Sequence, residues 1–213
     1  MTGLAARGAP GQVDHPMSAR TTGKVGFGFV ALLLVSAGMA SVPTSSDSAD
    51  VVRDFYTEHT AIVVLAQLIG LGAAVAFGFF ARGLDFVVGR SDRTLWIAGT
   101  GVAVAAGITA IPPLWLCAAA EDASTATLHT LTVASDLTDV VLFVAIAAFG
   151  SAIALTGATW LRVLGLVTAL VSLAHAALLM AGSGPLEVVA PVAFVVLVCA
   201  LSATTLKNEM SSF

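Results

Sequence analysis

Six apolar runs, over residues 25–42, 60–81, 95–116, 137–156, 163–181 and 186–206, leave this chain few folds to choose from. Apolar stretches of about 18 residues or more form helices that cross a hydrocarbon layer roughly 30 Å thick. One buried helix of a soluble protein can imitate such a run; six in 213 residues cannot be buried that way. Composition agrees: 58% of the residues are hydrophobic and 10% are charged, against roughly 25% charged in a soluble domain, and the mean hydropathy is +0.98. The connections are too short to hold a separate soluble domain. The expected fold is therefore all-α, a polytopic bundle of about six transmembrane helices over residues 24–207. An unstructured tail precedes it (1–23) and a short one follows (208–213).

Lysine and arginine orient the bundle. With the N-terminus inside, the inner segments hold Arg7, Arg20, Lys24, Arg82, Arg90, Arg93, Arg162 and Lys207, and the outer segments only Arg53. Positive residues are retained on the cytoplasmic side, so both termini are expected there. Trp96 and Trp160 then mark the inner interface and Trp115 the outer one. Asp47, Asp50, Asp54, Glu58, Glu121, Asp122 and Glu187 fall outside. The net charge of −4 hides this asymmetry. A basic stripe with interleaved aromatics is absent, which gives nucleic-acid binding no support. The expected location is a membrane, crossed several times. The first run, with Arg20 and Lys24 before it and "SAGMASVP" after it, also has the layout of a signal peptide cleaved after Ala40, although it is long for one. Upstream, residues 1–16 have no apolar periodicity and read as an extension without a fold.

Small residues mark where helices approach. Gly70, Ala74 and Gly78 recur at every fourth position, as do Gly99, Ala103 and Gly107. Lipid offers no hydrophobic drive for helix association, so stripes of this kind supply close contact instead. Packing within the chain is the expected use, a homo-oligomer or a partner membrane protein the other. Pro112-Pro113 and Pro191 each remove a backbone donor and are expected to bend or end their helices. In the first outer loop, Val51, Val52, Phe55 and Tyr56 form one apolar face and Asp50, Asp54 and Glu58 another. That pattern predicts a short amphipathic helix, capped by Asp47 or Ser48, lying on the surface or lidding the bundle. Cys117 and Cys199 are separated by about 20 Å along the bundle at 1.5 Å per residue, too far for a disulfide.

Two segments carry a resemblance. "FYTEHTAIVVLAQLIGLGAAVAFGFFARGL" resembles the second-helix region of small actinobacterial membrane proteins, in which Phe-Tyr and a charged pair precede a Gly/Ala-rich span. "TWLRVLGLVTALVSLAHAALLMAG" resembles the fifth helix of an uncharacterised bacterial family of six-helix integral membrane proteins, on Trp160, Arg162, Leu164 and Gly165. The resemblance implies a six-helix inner-membrane protein and brings no activity and no catalytic residues.

No catalytic motif stands out: the chain lacks G-x-S-x-G, a P-loop, H-E-x-x-H and a G-x-G-x-x-G in a strand–helix setting. The polar residues that remain gather in "LHTLTVASDLTDVV". On one continuous helix, Asp136 lies within about 20° of His129, and Asp139 about 60° further round. Gln67 and His175 belong to the outer halves of other spans. Ionisable residues in a membrane usually face the bundle interior, so His129, Asp136, Asp139, His175 and Gln67 form a candidate ligand site or proton relay. The plainer account is that the carboxylates sit in the first turns of a helix, where unpaired N–H groups favour them. Three functions remain open. A non-catalytic accessory or ligand- and lipid-binding membrane protein ranks first. A small proton-coupled carrier working through an Asp–His relay ranks second. A metal-dependent membrane hydrolase using His129, Asp136, Asp139 and His175 ranks third, although no H-x-x-x-H pair is present. No cofactor is implied.

Overall fold

A computed structural model describes residues 17–39, 42–88, 93–181, 186 and 188–210. Among them the chain forms eight helices: α1 (Ala19–Met39), α2 (Ala49–Glu58), α3 (Thr60–Val88), α4 (Thr94–Thr109), α5 (Ile111–Ala119), α6 (Thr125–Thr156), α7 (Thr159–Met180) and α8 (Val189–Met210). Six segments are long and apolar enough to cross a membrane, with α4 and α5 joined as one span, Thr94–Ala119. The protein is an all-α, multi-pass membrane protein with a short amphipathic helix between its first two spans. Residues 1–16 and the cleavage position at Ala40 lie outside the described residues. Helix α1 starts at Ala19, where Ser18 Oγ accepts from Thr21 N at 3.1 Å. The α4–α5 break falls where expected, with Pro112 and Pro113 in the first turn of α5, the one place in a helix where a missing N–H costs little.

The spans form a ring. Each packs on its neighbours in sequence, and α8 closes the ring on α1, giving the order α1, α3, α4–α5, α6, α7, α8. Helix α6 therefore stands opposite α1. Phe29, Phe77, Phe80, Phe149 and Phe194, one or two from each of α1, α3, α6 and α8, fill the centre of the ring. Phe77 lies in the middle, its ring centroid 4.9 Å from Phe29, 5.2 Å from Phe149 and 5.4 Å from Phe194. Leu65, Leu68, Val75, Phe79, Ile97, Val104, Leu155, Leu166 and Leu170 are exposed around the outside. In water such a surface would drive aggregation; around six apolar spans it is the face that meets lipid.

The small-residue stripes pack inside the chain. A Cβ on Gly78 would touch Ala103 at 3.6 Å, one on Gly70 would press Ser36 at 3.2 Å, and one on Gly99 would collide with Ala81. Helices α6 and α7 meet backbone to backbone: a Cβ on Gly150 would stand 2.7 Å from the Gly165 carbonyl oxygen and one on Gly165 2.6 Å from the Gly150 carbonyl oxygen. That pair lies outside both recurring stripes. Alternation of the helices puts Arg20, Lys24, Arg82, Arg93, Arg162 and Lys207 at one end of the bundle and α2 at the other. These are the basic end and the α2 end.

Candidate functional site

The connection from α1 to α3 does not take the short way between neighbours. It runs across to α6, opposite α1, before α2 returns to α3. Asp47 shapes the crossing, its Oδ2 accepting from Thr44 N at 2.8 Å. Ser45 N then donates to Asp136 Oδ2 of α6 at 3.1 Å. Ser48 caps α2, accepting from Val51 N, as one of the two expected caps. A carboxylate that accepts a backbone N–H makes one of the stronger hydrogen bonds available to a loop, so Asp136 pins the crossing to the far wall of the ring.

Helix α2 is docked through its apolar face. Val52 and Tyr56 are buried with Val63, Leu116, Ala120 and Leu128, a second small core separate from the phenylalanine cluster. Arg53 fixes the same helix from its flank: Nε donates to the Ala120 carbonyl at 3.2 Å and Nη2 to the Ala123 carbonyl at 2.8 Å, with Asp50 at 3.6 Å. The Ala120 carbonyl belongs to the C-cap of α5, where unpaired acceptors favour a cation, and the Ala123 carbonyl to the turn that leads into α6. At the far end of α2, His59 stacks on Phe55 with ring centroids 4.9 Å apart, and its Nδ1 lies 3.1 Å from the Phe55 carbonyl. The surface helix is thus a lid, held by a core of its own, an arginine clamp and a tethered loop.

Tyr56 is the chain's single tyrosine and is 1% exposed. Burial pushes its phenol up from the ordinary tyrosine range, and Cys117, Asp136 and Asp139 act in the same direction. Each of them disfavours the phenolate, the first by desolvation and the others by negative charge nearby. Tyr56 therefore lies within electrostatic reach of both carboxylates.

The expected site residues divide. Asp136 and Asp139, three residues apart on α6, are half-buried, and Asp136 holds the loop that leads into the lid. His175 of α7 is 3% exposed and meets the Phe143 ring edge-on, centroids 4.3 Å apart. Phe143 is one turn along α6 from Asp139, so the imidazole belongs to the layer next to the carboxylates, toward the aromatic plug. Gln67 is half-buried on α3. His129 is exposed, in the second turn of α6. Among the described residues, no group of three or more His, Cys, Asp or Glu side chains is placed to hold a metal ion. Cys117 and Cys199 are free thiols, both half-buried.

Sequence reading left out three participants. Tyr56 counted only as part of an apolar face, although a lone tyrosine there was a signal. Arg53 counted only as the exception to the charge rule. The Ser45–Asp136 contact spans 91 positions, and nothing local announces it. No family model, curated protein or solved structure matches the chain.

Proposed function

We propose that this is a non-catalytic binding or accessory protein of a bacterial inner membrane. Both termini lie in the cytoplasm, and the α2 lid stands on the outer face. The observation that carries the reading is the lid itself, which crosses the mouth of the ring and encloses Tyr56, Asp136 and Asp139. The carboxylates favour a small cation or an amine as ligand. The phenylalanine cluster fills the centre of the ring beneath them, which suits a binding site closed on one side better than a path through the membrane. The charge asymmetry supports the orientation, and the architecture is that implied by the resemblance to the six-helix bacterial family.

Thermal stability of the purified protein, titrated with monovalent, divalent and primary-amine cations, tests the reading. Stabilisation by one class, abolished in Asp139→Asn, supports it; a response unchanged in that variant contradicts it. For the orientation, cysteines at the exposed Asp122 and Thr159 positions label from opposite sides in intact cells. Labelling of Thr159→Cys from outside would reverse it.

A proton-coupled carrier is the second reading. Its favouring observation is a buried polar line on α7, Thr168, Ser172 and His175, in the layer next to Asp139. Proton flux in liposomes, lost in both Asp139→Asn and His175→Ala, would put that reading first.

A further inference from the structure

A second polar feature lies at the opposite end of the bundle and owes nothing to the lid. Between the end of α3 and the start of α4, Arg82, Asp85, Phe86, Arg93 and Trp96 line a cleft of about 310 Å³. That volume is at the lower end for ligand clefts and suits a headgroup-sized molecule. Four observations specify what fits it. Arg82 and Arg93 set two guanidinium groups on one cleft, and guanidinium forks match phosphate oxygens. Arg82 is held over the Phe86 ring, 6.0 Å from its centroid, so its approach is set in advance. Arg93 adopts a left-handed backbone with φ of 53°, a conformation a residue with a side chain adopts only at a cost. Asp85 Oδ1 is buried, and no donor among the described residues meets it.

The last observation separates ligands. Two cations alone would accept any anion. A buried carboxylate oxygen lacking a donor asks for a ligand that also brings an O–H. Trp96, half in and half out at the same edge, is the residue type found at the headgroup level of a bilayer. We infer that the Arg82–Arg93–Asp85 cleft binds the headgroup of an anionic phospholipid whose phosphate meets the two arginines and whose headgroup hydroxyl donates to Asp85. Phosphatidylglycerol has this chemistry. Phosphatidic acid has the phosphate without the headgroup alcohol. Inorganic phosphate has the anion without the acyl chains.

Native mass spectrometry of the detergent-solubilised full chain, titrated separately with phosphatidylglycerol, phosphatidic acid, phosphatidylcholine and inorganic phosphate, tests this. The expected order is phosphatidylglycerol above phosphatidic acid, with phosphatidylcholine and inorganic phosphate weakest. Arg93→Gln should weaken phosphatidylglycerol binding about tenfold, the scale of one charge-assisted contact. Asp85→Leu should erase the preference for phosphatidylglycerol over phosphatidic acid. Arg162→Gln, a basic residue of the same end outside the cleft, should change nothing. Equal binding of phosphatidylglycerol and phosphatidylcholine by the unaltered protein would overturn the inference without any variant. So would inorganic phosphate matching the lipid, or Arg162→Gln costing as much as Arg93→Gln.

Discussion

The two halves of the ring are held together by different means. Toward the basic end, helices pack closely against glycines, backbone to backbone at Gly23, Gly150 and Gly165. A Cβ on Gly23, Gly26, Gly83, Gly99, Gly150 or Gly165 would collide with a neighbouring helix, and all six lie in that half. Toward the α2 end the glycines are less crowded: Gly38 and Gly72 face nothing within 4 Å, the nearest atom to a Cβ on Gly107 is 4.0 Å away, and one on Gly70 would press only the Ser36 hydroxyl, at 3.2 Å. There the structure relies on a lid with its own small core, an arginine clamp and a tether to Asp136. Adaptation is available at the α2 end. Interfaces built on glycine admit no extra atom, whereas a docked helix can loosen as a unit. The acidic pair lies in the second kind of region and the lipid cleft at the rim of the first.

Substitutions can attack either half separately. Tyr56→Ala should have the largest effect, because truncating a fully buried aromatic side chain costs about 3–5 kcal/mol. The loss should fall on the lid: trypsin should cut at Arg53 in the folded variant and spare it in the unaltered protein. Gly165→Val should cost about 3 kcal/mol, the upper part of the range for overpacking. That variant should lose folded yield and thermal stability while protection at Arg53 persists in whatever folds. Gly72→Ala, in open space, should instead gain about 0.5–1 kcal/mol from helix propensity. Equal damage from Gly165→Val and Gly72→Ala would remove the distinction between the halves.

Acidity sharpens the same contrast. The folded lid holds the Tyr56 phenol above its unfolded value of about 10. The folded state therefore keeps a proton that the unfolded state has released. Stability contributed by the neutral phenol is whole below about pH 10 and declines as pH rises beyond it. Tyrosinate absorbance should appear only at more alkaline pH than in the denatured chain, and lid docking should weaken in step. Because the chain has one tyrosine, the signal has one source. Tyr56→Phe should remove this component of the pH dependence.

The spans, their number and the polarity of their ends were legible because lipid imposes length and composition on a helix directly. Helix α2 was legible from its apolar face and Ser48. Gly150 and Gly165 were not, since their spacing repeats nothing; they meet only because α6 and α7 cross there. His129 shared a helical face with Asp136 yet is exposed, although its neighbour Leu128 is buried in the core of the lid. Angular position on a helix says which side a residue faces, and only neighbouring helix lengths say whether anything is there to meet it. The tie between Ser45 and Asp136 depends on the path of a loop, which no periodicity encodes.

Amide hydrogen exchange at Ser45 tests the central claim, that a tethered lid crosses the mouth of the ring. In the full-length protein in detergent, the Ser45 amide should exchange far more slowly than an unstructured amide, because its N–H is bonded to Asp136 on the opposite helix. In Asp136→Ala, that protection should vanish while amides around Gly150 and Gly165 keep theirs. An unprotected Ser45 in the unaltered protein, or protection that survives Asp136→Ala, would contradict the account.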